Sequence, residues 1–385
     1  MKLKNIILIT FIIFMSVFSQ GITITQKAYD NSNNEDEDIA VNKEPETKET
    51  NCVAKVIRVI SDFEEELPGG NKQRSQQLLL KILTGHNKNK ERVTLNVIPD
   101  NPAFSIIGQV NKKYIVSEIE TLENGNEEYF ILDYYREPYI WILSVSFLIL
   151  LLIVGGFKGA RTIVSLLVTV GLVAFLLIPS IVKGINPLLS AILVSFLATG
   201  ITMLLVAGAN FKSLAATLGT VIGVTFSGVI ATLVIKFASL SGLASSEAMI
   251  LWGNQVYQIN FKGLLAAGMI VSCLGAIMDV AISIASSMQE IKAANLNYSF
   301  KDLFHSGMNV GKDIMGTMTN TLVLAYTGMA LPLLLLISHE KNPAKYLNLE
   351  LVVSEITAAL AGSIGLIIAV PATALIMAWL INKRK

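Results

Sequence analysis

Long apolar runs fill residues 139–381, and short alternating runs occupy the stretch before them. A helix needs roughly 20 apolar residues to cross ~30 Å of hydrocarbon. Seven runs reach that length, at about 139–157, 163–182, 187–207, 214–236, 263–288, 317–338 and 356–381. They predict an α-helical polytopic membrane bundle over 139–381. Ahead of it the period changes from helical to two-residue alternation. Cys52 to Ile60 is rich in β-branched residues, and Gln77 to Leu83 and Arg92 to Ile98 flank the turn-forming GHNKNKE, the pattern of a hairpin. Tyr114 to Ile119 and Tyr129 to Tyr134 add two more strands. Five short strands over 51–136 predict a small all-β domain, a barrel or a sandwich, with an OB-like barrel among the options.

The N-terminus is read separately. Lys2 and Lys4 precede the apolar stretch Asn5 to Phe18, which is short for a span, and Val17-Phe18-Ser19 resembles a cleavage site. Residues 1–19 therefore read as a secretory signal, with an uncleaved anchor as the alternative. Residues 20–50 are polar and acidic without apolar periodicity, which predicts a disordered linker. Either choice for 1–19 places residues 20–138 outside the cytoplasm. The basic cluster of residues 382–385 then anchors the C-terminus inside. Lysines and arginines flanking the runs divide in the same sense. Lys158, Arg161, Lys212, Lys292, Lys301, Lys312, Lys383, Arg384 and Lys385 fall on the inner side, against Lys183, Lys236, Lys262, Lys341 and Lys345 on the outer. Tyr134, Tyr135, Tyr139 and Trp141 suit an interfacial aromatic belt.

Composition agrees with a membrane chain. Hydrophobic residues make up 52% and charged ones 15%, well below the ~25% of ordinary soluble domains. Among soluble-enzyme signatures there is no P-loop, no dinucleotide-binding glycine pattern and no zinc spacing. No enzymatic activity or cofactor is implied, and the identity of any metal stays open. Met269, Met278, Met288, Met308, Met315, Met318 and Met329 lack the cysteine or histidine neighbours of a soft-metal path and read as apolar filler. His86 has no metal-spaced partner and reads as a solvated turn residue. Cys52 and Cys273 fall in different compartments and cannot pair. The acidic linker and the lack of a basic patch speak against nucleic acid.

Two segments carry polar groups at helical spacing inside otherwise apolar runs. In Gly275 to Lys292, the residues Asp279, Ser283, Ser286 and Glu290 share a face. In Ser306 to Gly328, Asn309, Asp313, Gly316, Asn320 and Thr327 do the same. Polar faces inside a membrane are costly and mark function. Asp279 is the candidate ion-binding carboxylate, with Glu290 and Asp313 at an inner mouth and Asn320 lining a path. The bland alternative is polar glue between two spans. Gly275, Gly307, Gly311 and Gly316 allow close packing, and Gly311 and Gly316 could break a helix. Pro179, Pro332 and Pro371 would kink theirs.

GAIMDVAISIASSMQE and SGMNVGKDIMGTMTNTLVLAYTG, with Asp133-Tyr134-Tyr135-Arg136 before the first run and Phe157-Lys158-Gly159 after it, resemble the YibE/F-like family of bacterial multi-pass membrane proteins. The resemblance extends over about 50–381. It implies location and architecture and assigns no catalytic residues. The expectation is a permease for a small solute or ion, in contact with the lipid bilayer. Its rival is a scaffold whose outer β domain binds a protein partner.

Overall fold

The computed structural model describes residues 47–66, 72–101, 105–121, 126–253, 259–339 and 343–383. The expected signal at 1–19 and all but the end of the linker lie outside them. The chain forms two units, a β unit that runs up to Leu150 and a helical unit from Leu151 onward.

The β unit is a five-stranded antiparallel sheet. Its strands are β1 (Thr47–Glu66), β2 (Lys72–Ile82), β3 (Glu91–Ile98), β4 (Lys113–Thr121) and β5 (Asn126–Tyr134), ordered β3-β2-β1-β4-β5. β1 begins inside the stretch expected as linker. It is long because it serves two partners, β4 through Thr47 to Lys55 and β2 through Ala54 to Glu66. Register shifts between Val56 and Arg58 and between Val59 and Ser61 bend it, as bulges do. The sheet curls until its edge strands meet. The Arg92 guanidinium donates to Glu127 (2.7 Å), and the Thr94 hydroxyl donates to the Tyr129 carbonyl. The result is a five-stranded antiparallel half-barrel, with the strand order expected of an OB-like barrel.

Alternation places Cys52, Ala54 and Val56 of β1 and Leu78, Leu80 and Ile82 of β2 inside. β3 reverses the usual polarity. Thr94 and Asn96 are buried, while Val93, Leu95 and Val97 are exposed. The reason is a buried polar network against β3. Glu118 accepts hydrogen bonds from Asn87 and from the Tyr129 hydroxyl, and Asn96 donates to the Ile106 carbonyl (2.7 Å). His86 is exposed in the β2–β3 turn, as expected.

The helical unit begins inside α1 (Glu137–Leu172), which a π-helical stretch, Val173–Leu177, joins to α2 (Ile178–Val182). There follow α3 (Pro187–Ala207), α4 (Phe211–Phe237), α5 (Ser246–Gly253), α6 (Phe261–Ala294), α7 (Phe300–Met329), α8 (Leu331–Ser338), α9 (Pro343–Leu347) and α10 (Glu350–Asn382). Caps start the principal helices. The side chains of Asn186, Asn210, Asn260 and Ser299 each accept from a backbone N–H in the first turn of α3, α4, α6 and α7.

Among the described residues, five helices are long and apolar enough to span a membrane, or six when α7 and α8, bent by 67°, count as one. The first of them, Glu137–Val182, has 46 residues, about 69 Å of helix and twice the hydrocarbon thickness. Gly156 breaks it with φ 53° and ψ −131°. A Cβ on Gly159 would sit 2.2 Å from the Leu151 carbonyl oxygen, so the chain folds back tightly there. The first two of the seven expected runs are thus the two halves of this one kinked helix, and the spans number five to six among the described residues. α7 continues unbroken through Gly311 and Gly316, and the bend comes instead at Ala330, before Pro332.

α10 packs on α4, α6 and α7, and α4 on α3 and α6. The α4–α10 crossing is backbone against backbone. A Cβ on Gly223 would lie 2.6 Å from the Gly365 carbonyl oxygen, and one on Gly365 would lie 2.7 Å from that of Gly223. Such small-residue crossings drive helix association in lipid, where the hydrophobic effect does not.

Gly223→Ala should therefore destabilise the bundle by about 1–3 kcal/mol. Gly171→Ala, where no atom lies within 4 Å of the added Cβ, should not. Unfolding midpoints in mild detergent compare them, and equal midpoints would contradict the crossing. In the β unit, Arg92 holds the Glu127 carboxyl at about 2, below its ordinary 4.5. That stabilisation is present above the ordinary value and is lost as pH falls from about 4.5 to about 2. Hydrogen-exchange protection of β3 and β5, corrected for intrinsic rates, should fall in that window. Glu127→Gln should shrink the fall, leaving the part due to Asp62, which Arg74 also holds at about 2. An undiminished fall in that variant would count against the pair.

Candidate functional site

The polar line on α6 is intact and faces away from the bundle. Its buried residues, among them Ile270, Cys273, Ile277, Val280, Ile284 and Met288, cover one side of the helix. Asp279 lies near the middle of this 34-residue helix on the opposite side, exposed in the chain, as is Glu290. Ser283 and Ser286 are half-buried between them. Towards the other end the line continues through Gly275, Ser272 and Gly268, all exposed. An added Cβ at Gly275 or Gly268 would meet nothing within 4 Å.

α7 behaves in the same way. Leu303, Gly307, Gly311, Leu322 and Tyr326 form its packed side. Gly307 accommodates Met288 and Ala374, and Gly311 accommodates Val370 and Ile284. Asn309, Asp313, Gly316, Asn320 and Thr327 run along the opposite, exposed side. Among the described residues, no hydrogen bond or ion pair joins the side chains of Asp279, Ser283, Ser286, Glu290, Asn309, Asp313 or Asn320 to another group. The structure thus does not bring the two lines together. The α6–α7 contact is made by other residues, with the Ser272 and Tyr326 hydroxyls bonded to each other.

That bond lies in a cleft of about 380 Å³ whose lining includes Ser245 just before α5, Gly268 and Ser272 of α6, Tyr326 of α7, and Ser354 and Glu355 of α10. Glu355 is half-buried. The cleft sits at the end of the bundle where Glu350 accepts from the Ser241 and Gly242 amides (both 2.7 Å). From Ser272 the α6 line leads to Asp279, about 10 Å along the axis, and on to Glu290, about 16 Å further.

The bundle also sorts its ends. Asn210, Lys292 and Ile381 line one cleft, and Asn186, Lys236, Asn260 and Lys262 another. Lys292 caps α6 by donating to the Leu296 and Tyr298 carbonyls (2.7 and 2.8 Å).

The family model of YibE/F-like proteins matches residues 143–383. The chain belongs to the YibE/F-like family. The match covers nearly all of the helical run and leaves the β strands outside it. No curated protein and no solved structure matches the chain.

Within this YibE/F-like unit, three site residues escaped the sequence pattern, namely Ser272, Tyr326 and Glu355. Glu355 lies just before the apolar run 356–381, whereas α10 begins at Glu350 and includes it. Ser272 continues the helical spacing of Asp279 seven residues back. That spacing was the available signal for it.

Proposed function

We propose that this YibE/F-like protein is a permease for a small solute or ion and that α6 carries the path. The observation that supports it is the polar line on α6 that runs from Ser272 in the Glu355 cleft through Gly275 to Asp279, Ser283, Ser286 and Glu290, the last four without a side-chain partner. Hydrocarbon offers such groups no hydrogen bonds, so they need water, a solute or protein against them. A lone carboxylate at mid-helix, with hydroxyls on its own face and no cation beside it, suits a proton or a cationic solute. Asp279 is the binding carboxylate and Glu290 stands at the inner mouth with Asp313 near it, while Asn320, expected to line the path, lies on the separate outward side of α7. The β domain lies outside the cytoplasm and the C-terminus inside, on the distribution of lysine and arginine.

One observation favours a second role, a scaffold. β3 and β5 expose Val93, Leu95, Val97, Phe130 and Leu132, a surface on which a protein partner could dock. In that case deleting residues 51–136 abolishes function, while Asp279→Asn leaves it intact.

Single cysteines at Ser283 and Ser286, with Cys52 and Cys273 changed to Ser, separate the two. A small charged thiol reagent applied to sealed vesicles of both orientations should label both positions, and Asp279→Asn should abolish flux. Protection of both positions from either side would remove the aqueous path and leave the scaffold.

A further inference from the structure

The outward face of α7 carries Asn320 inside the apolar run that begins at 317, where hydrocarbon offers it no partner, and Asn309, Lys312 and Asp313 continue that face towards the inner edge. Thr317, Thr321 and Thr327 satisfy their hydroxyls on carbonyls of their own helix, at 2.9, 3.0 and 2.7 Å. Asn309, Lys312, Asp313 and Asn320 have no such local partner and are all exposed. Among the described residues the ion pairs are Asp62–Arg74, Glu127–Arg92 and Asp133–Arg136, all in the β unit, so Lys312 and Asp313 are unpaired. Gly316, in the middle of this face, has nothing within 4 Å of where its Cβ would be. Gly307 and Gly311 use their missing side chains to seat neighbours in the same chain, and Gly316 does not.

The arrangement is self-complementary. Consecutive residues on a helix stand about 100° apart, so Lys312 and Asp313 flank the line of Asn309, Gly316 and Asn320, one on each side. Two copies in one membrane share an orientation, and a two-fold axis along the membrane normal sets equal residues at equal depth. It also sets the left flank of one helix against the right flank of the other. Lys312 of each copy then meets Asp313 of the other, and the Asn309 and Asn320 amides, which both donate and accept, meet their own equivalents. Gly316 falls at the closest approach, as small residues do in packed membrane helices.

We infer that the polar face of α7 is the interface with a second copy of this chain, closed by two reciprocal Lys312–Asp313 pairs around Gly316. The α6 line is left free of this contact. If the path proposed above exists, each protomer carries its own, and Asp313 stands where the inner mouth adjoins the seam.

Oxidative cross-linking in native membranes tests it, in the Cys52→Ser, Cys273→Ser background. A disulfide requires Cα atoms within roughly 7 Å, so only direct contact reports. Gly316→Cys and Asn320→Cys should each give a species of twice the mass. Leu375→Cys, exposed on α10, should not. Lys312→Asp or Asp313→Lys alone should lower the cross-linked fraction at residue 320 by about threefold to tenfold, and the double swap should restore it. A one-chain mass in lipid nanodiscs with no cross-link at 316 or 320 would overturn the interface. Cross-linking that ignores the swaps would overturn the reciprocal pairs. Transport is scored separately by flux. A dimer without flux would refute the permease alone, and a monomer with flux would refute this interface alone.

Discussion

The membrane unit depends on the crossing of α4 and α10 at Gly223 and Gly365. Each glycine leaves the space that the other's carbonyl oxygen occupies. In lipid, apolar side chains gain little by leaving one hydrocarbon surface for another, so close backbone approach and dispersion hold helices together. That contact makes α10 the hub on which α6 and α7 also pack. It explains why buried positions here are so often Ala, Gly, Ser and Thr, and why large apolar side chains such as Leu360, Leu375 and Trp379 point outward. A soluble core has the reverse arrangement.

The same hub decides where the chemistry goes. α6 and α7 offer their apolar and glycine faces to α10, α4 and each other. Helical geometry then leaves Asp279 and Asn320 on the far sides. A residue-by-residue preference for burial would not predict this, because in an aqueous protein the exposed side is also the polar side. Only the membrane turns exposure of a carboxylate or an amide into an unmet requirement. Both the path proposed on α6 and the seam inferred on α7 rest on that requirement, applied to two helices that each turn a polar side outward.

The β unit solves a different problem with polar groups. Its edge strands carry too few apolar side chains on their facing sides to close the barrel by packing alone. Glu118, Asn87, Tyr129 and Thr94 close it with hydrogen bonds, and Arg92–Glu127 guards the seam at the surface. Burying those groups is tolerable because each has a partner. The consequence is an apolar exterior on β3, the surface that a docking partner would use.

Much of this was legible in the residues alone. Run length marked the membrane segments, because a bilayer has a fixed thickness, and two-residue alternation marked the strands. Helical spacing put Asp279, Ser283, Ser286 and Glu290 on one face, since 3.6 residues per turn is a property of the helix and not of its neighbours. The direction of that face was not legible. It depends on which glycines meet across a crossing, and Gly311 and Gly316 look alike in sequence while one is filled by Val370 and the other stands open. The reversal of β3 and the place of Glu355 were hidden for the same reason. Local periodicity says which residues share a side, and only the packing of distant elements says what that side faces.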